Sequence, residues 1–98
     1  MLGDKIGAKE AQDMGMIYKV VSSEEFEETV QILATKLAKM PTKALGLIKQ
    51  TLNQSLVNDL DTQLALESKN QILAAQTEDY AEGVSAFIEK RKPDFKGK

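Results

Sequence analysis

With neither histidine nor cysteine among the 98 residues, the side chains able to move a proton or hold an anion are chiefly carboxylates and the basic residues. Ser-His-Asp, Cys-His and thiolate- or histidine-bound zinc chemistry are therefore excluded within this stretch of sequence. The carboxylates fall in adjacent pairs, Glu24/Glu25, Glu27/Glu28 and Glu78/Asp79. A desolvated carboxylate pair can do general acid-base work. Each of these pairs, however, sits at an expected helix start, where negative charge on a solvated surface complements the helix dipole. None is assigned a catalytic role. The basic groups concentrate at the end, in Lys90, Arg91, Lys92, Lys96 and Lys98. Such a cluster can hold phosphates of a small ligand, although cations also complement a helix C-terminus. Phe87 and Tyr80 precede it and read as core aromatics. No Gly-x-Gly-x-x-Gly or Walker-type loop is present, so a phosphate-cradling turn has no support.

The elements that must position these groups read as helices. Ala8, Glu10, Ala11 and Met14 form one short helix that meets Gly15, a residue suited to a left-handed helix end. Met16 to Val21 is apolar and β-branched but short, and reads as an extended connector or at most one short strand. Ser22 followed by Glu25 fits a capping box for a helix starting at about Ser23. Phe26, Val30, Leu33, Leu37 and Met40 then share one face of it. Pro41 stops that helix and opens the next, whose apolar positions are Leu45, Ile48, Leu52 and Leu56. Gly46 in its interior costs about 1 kcal/mol relative to alanine unless close packing needs it. Asn58 or Asp59 caps a helix running to about Gln76, and Thr77 caps another. That last helix carries Tyr80, Val84, Phe87 and Ile88 inward, with Lys90-Arg91-Lys92 in its final turn before Pro93. The expected fold class is all-α, with Phe26, Val30, Leu33, Leu45, Ile48, Leu52, Val84 and Phe87 mostly buried.

Length and charge narrow the function classes. The chain is one domain or part of one. Its 15 acidic and 13 basic residues give no field favouring nucleic acid. No apolar run approaches the roughly 20 residues of a membrane span, and the first residues lack a signal-peptide core. A soluble, cytoplasmic location is the expectation.

Two stretches carry a family resemblance. Leu2-Gly3-Asp4-Lys5-Ile6-Gly7-Ala8-Lys9-Glu10-Ala11, then Met14-Gly15-Met16-Ile17 and Val20-Val21, resembles the segment that follows the catalytic acid region in the crotonase (enoyl-CoA hydratase/isomerase) superfamily. Tyr80-Ala81-Glu82-Gly83-Val84-Ser85-Ala86-Phe87-Ile88-Glu89-Lys90-Arg91-Lys92-Pro93-Asp94-Phe95 resembles that family's closing motif. Within the superfamily, Pro41-Thr42, Leu45 to Gln50, Leu60 to Leu64, Leu66-Glu67 and the final Phe95 to Lys98 are similar to the epoxyphenylacetyl-CoA isomerase subfamily of the phenylacetate pathway.

The resemblance implies that residues 1–98 are a C-terminal helical region. Residues 1–21 would end the core-proximal part, and 22–98 would supply helices for trimerisation and closure over CoA. The oxyanion hole and catalytic carboxylates would lie in an N-terminal ββα spiral before Met1, so no catalytic residue maps onto this chain. The implied substrate is an acyl-CoA thioester, handled by a hydratase or an isomerase with no further cofactor, in a homo-oligomer, trimer or hexamer, without nucleic acid or membrane. The CoA contacts it implies are Lys90 at the nucleotide end and Phe87 toward the acyl tunnel. The family's second nucleotide contact, an aromatic, falls near Gln71, which is not aromatic. A stand-alone helical interaction module derived from the family is the alternative reading.

Overall fold

A computed structural model describes residues 3–98, so Met1 and Leu2, the first position of the N-terminal resemblance, lie outside the described residues. Five helices occur in order: α1 Ala8–Asp13, α2 Ser23–Ala38, α3 Thr42–Ser55, α4 Leu60–Ala75 and α5 Glu78–Ile88. No strand is present among the described residues, and Met16 to Val21 forms turns and irregular chain. The chain divides into two compact units between Leu33 and Ala34.

In the first unit, α1 closes in a Schellman turn. Gly15, with φ +75, donates its N–H to the Gln12 carbonyl (2.9 Å), and Met16 donates to Ala11 (2.8 Å). The Val20 N–H reaches back to the Gln12 side-chain carbonyl at 2.8 Å and ties the connector to α1. At the start of α2 the Ser22 hydroxyl oxygen accepts the Glu25 N–H (3.3 Å), while the hydroxyl itself donates to the Glu25 carboxylate (3.1 Å). The expected capping box is thus realised with the return bond made to the serine side chain.

In the second unit, α3 packs on α4 and α4 on α5. Asp59 caps α4 through the Thr62 N–H at 2.8 Å, and Thr77 caps α5 through the Tyr80 N–H at 3.1 Å. The α3–α4 seam is partly polar. Asn70, nearly fully buried, donates to the Thr51 hydroxyl (2.8 Å), which donates in turn to the Leu47 carbonyl (2.8 Å). Each buried polar group is thereby satisfied, as burial demands.

The expected core is not formed. Phe26, Val30, Ile48, Leu52, Val84 and Phe87 are all exposed, Phe87 by 85 %, while Leu33 and Leu45 are half-buried. The one buried apolar side chain among the described residues is Ala86. The periodicity marks a helix face for these residues, but a face is buried only if another surface covers it, and among the described residues most of them are left exposed. Beyond its chain neighbours and its own helix backbone, Gly46 has no described atom within 4 Å of the position a Cβ would take, so no close packing among the described residues offsets its cost in α3.

Candidate functional site

The groups with chemical potential gather around α5 and the segment after it. α5 ends at Ile88, earlier than the expected end beyond Lys92, because Lys90 adopts a left-handed backbone with φ +54. The Lys90 N–H bonds to the Phe87 carbonyl (3.3 Å) and the Arg91 N–H to the Ala86 carbonyl (3.0 Å), a second Schellman turn. Lys90, Arg91 and Lys92 therefore do not form a last helical turn.

Arg91 is committed to partners inside the chain. Its guanidinium grips the Glu82 carboxylate with two prongs, Nη1 to Oε1 at 2.5 Å and Nη2 to Oε2 at 2.8 Å, and its Nε reaches Glu89 at 2.6 Å. The Glu82 carboxylate also accepts the Asp94 N–H at 2.8 Å. These bonds, Arg91 first, hold the Glu82 carboxyl at a pKa of about 2, and the same two carboxylates raise the Arg91 guanidinium further. Lys96 pairs with Asp94 at 2.6 Å, which raises its pKa. Of the basic cluster, Lys90, Lys92 and Lys98 have no ion-pair partner among the described residues.

Asp79 corrects the reading of Glu78/Asp79 as solvated charge. It is 3 % exposed and accepts the N–H groups of Lys96 (2.6 Å) and Gly97 (2.8 Å), while its own N–H donates to the Lys98 carbonyl (3.2 Å). The tail is thus strapped across the start of α5. Gly97 is required there: its φ is +73, and a Cβ would meet the Thr42 hydroxyl at 2.5 Å. The tail's Phe95 ring lies 3.5 Å from where a Gly83 Cβ would stand.

Phe95 helps line an apolar groove of about 370 Å³, together with Pro41, Ala44, Tyr80, Val84 and Phe87. Phe87 lines it with most of its side chain in solvent, and Lys90 follows three residues on, just past the end of α5. A second groove, about 330 Å³, runs between α3 and α4 and contains Gln71 beside Asn70 and Glu67. The two expected ligand residues, Phe87 and Lys90, are thus exposed near one end of α5, and Gln71 lines a different groove. The roles of Glu82 and Asp79 were missed from sequence. The signal available was that Glu82 and Arg91 both fall inside the closing motif. Among the described residues no cluster of acidic side chains is arranged to hold a metal, and no helix is long and apolar enough to cross a membrane.

Five helices followed by an exposed lysine without an ion-pair partner among the described residues fit many folds, and comparison with known proteins separates them. The enoyl-CoA hydratase/isomerase family matches residues 1–98. This chain belongs to that family. The 1,2-epoxyphenylacetyl-CoA isomerase of Escherichia coli K12 is 51% identical over 98 residues, 100% of this chain and 37% of that enzyme. The 2,3-dehydroadipyl-CoA hydratase of the same organism is 43% identical over 96 residues, covering 98% of this chain and 38% of the hydratase. The crystal structure of enoyl-CoA hydratase subunit I from Geobacillus kaustophilus superposes with a TM-score of 0.92 at 42% identity, over 98% of this chain and 37% of that one. This chain therefore spans little more than a third of the length of these relatives and superposes on the corresponding part of a solved family member.

Proposed function

We propose that these residues form the helical region of an acyl-CoA hydratase/isomerase that supports homo-oligomerisation and closes over the CoA site, without catalysing a reaction alone. The observation that carries this reading is the family match over all 98 residues of a chain spanning 37% of its 51%-identical relative. Exposed apolar faces on every helix from α2 to α5 support it, since faces of that kind ask for a covering surface. The substrate class is an acyl-CoA thioester with no separate cofactor, of epoxyphenylacetyl-CoA or enoyl-CoA type, in the cytoplasm. Lys90 sits at the phosphate-adenine end, where an ammonium forms charge-assisted hydrogen bonds to phosphate, and Phe87 sits toward the acyl chain.

Inactivity alone follows from what the chemistry needs: donors preorganised beside the thioester oxygen and a carboxylate beside the reacting carbon, in one water-shielded site. Binding through Lys90 without those groups lowers no barrier. The purified 98-residue chain is assayed with crotonyl-CoA and epoxyphenylacetyl-CoA beside a full-length family enzyme containing the same segment. No turnover is expected from the short chain, and turnover within about a hundredfold of the longer one overturns the reading.

A further inference from the structure

A Schellman turn needs one residue in the left-handed region, and this chain uses glycine for it in α1 but lysine in α5. Gly15 at φ +75 meets no steric objection. Lys90 at φ +54 is the one non-glycine residue with positive φ among the described residues, and its Cβ opposes that conformation. A residue stays in such a conformation when its surroundings over-determine it.

Here the surroundings are the two residues flanking Lys90. Arg91 bonds Glu89 across it at 2.6 Å and grips Glu82, nine residues back on α5, at 2.5 and 2.8 Å. Glu82 in turn holds the Asp94 N–H, so the chain is pinned to α5 on the far side of the turn as well. Within Glu89-Lys90-Arg91, only the Lys90 side chain has no hydrogen-bond or ion-pair partner among the described residues. The arrangement occupies the charges of its neighbours, fixes the backbone beneath Lys90 and leaves one ammonium open.

We infer that Glu82 and Arg91 are positioning residues for Lys90, locking the left-handed turn from which its ammonium meets a phosphate-bearing ligand. The inference rests on the assignment of Lys90 to the CoA phosphate end. Its physical content is preorganisation: a lysine on a fixed backbone has less freedom to lose when phosphate binds. Arg91 is assigned to act through Lys90, because its Nε, Nη1 and Nη2 each already donate to Glu89, Glu82 or the Lys92 carbonyl.

The test uses a full-length family enzyme carrying this segment, with Kd measured by calorimetry for crotonyl-CoA and for crotonyl-pantetheine, which lacks the nucleotide. Lys90→Ala and Glu82→Gln are each expected to weaken crotonyl-CoA binding about five-fold and to leave crotonyl-pantetheine unchanged, with the double variant no weaker than Lys90→Ala. Additive losses in the double variant, or equal losses for both thioesters, overturn the positioning role while leaving Lys90 in place. If Lys90→Ala itself does not change the ratio of the two constants, the Lys90 assignment falls and the inference with it. Should Glu82→Gln lose helix content by circular dichroism, Arg91→Lys is read against the same outcomes, since it keeps the charge and loses the two-pronged grip.

Discussion

At the scale of single residues, Glu82 within α5 and Lys90 just past its end carry opposite consequences. Glu82 is stabilised as an anion by the Arg91 guanidinium and the Asp94 N–H, so its folded pKa of about 2 lies below the ordinary 4.5. A depressed carboxylate contributes stability in full above its unfolded pKa, and that contribution is lost as pH falls from about 4.5 toward about 2. Glu82→Gln should therefore lower the unfolding midpoint relative to the parent chain at pH 7, with the gap closing by about pH 2. Thermal melts of both proteins across that range measure it, and a gap independent of pH would mean that the ion pair is not its source. Lys90 carries strain instead of stability. Lys90→Gly relieves the Cβ penalty at φ +54 and should raise stability by up to about 1 kcal/mol, read from urea unfolding, a gain trimmed by the extra freedom of glycine in the unfolded chain. A loss of stability on this change would show that the lysine stem packs on something that the turn geometry does not reveal.

The helices themselves are specified locally to a degree that their packing is not. Asp59 and Thr77 each accept the N–H three residues on, as cap residues do, and Ser22 caps α2 in the same way. Gly46 is the one interior position of α3 that works against its helix, with open space where a Cβ would stand. Gly46→Ala should stabilise the isolated chain by about 1 kcal/mol through helix propensity alone. Urea unfolding of the 98-residue chain gives the number. A neutral or destabilising result there would reveal a contact to Gly46 in an associated form of the chain, and would direct the search for the interface to α3.

Across the whole molecule, the imbalance between apolar faces and buried area dominates. Phe26, Ile32, Ile48, Leu52, Leu64, Ile72 and Phe87 are all more than half exposed, whereas monomeric proteins rarely leave large contiguous apolar patches in water. The purified chain is expected to self-associate and to bind an apolar-surface dye. Sedimentation that reports a monomer over a hundredfold range of concentration (about 1 to 100 μM, where weak association shows) without dye binding would refute this. The α3–α4 seam shows how little the chain buries for itself: its well-buried member is Asn70, held by Thr51, and the leucines around it remain half-buried or exposed.

The sequence by itself determined which segments are helical, their order and their N-terminal caps, though not where α5 stops, because capping residues, proline stops and apolar spacing act over a few residues and need no partner. It also carried the family, through motifs spread from Leu2 to Phe95. Burial was not legible, since Phe26 or Phe87 at helical spacing marks a face without saying what covers it. Nor was the fate of the charges. Asp79 looks like any acidic residue at a helix start, and only the fold-back of the tail onto α5 turns it into a buried acceptor for Lys96 and Gly97. Arg91 looks as available to phosphate as Lys90. The tertiary structure separates them, because the left-handed turn at Lys90 swings the following residue back along α5 to Glu82, a contact between residues nine apart that no local rule of charge or spacing contains.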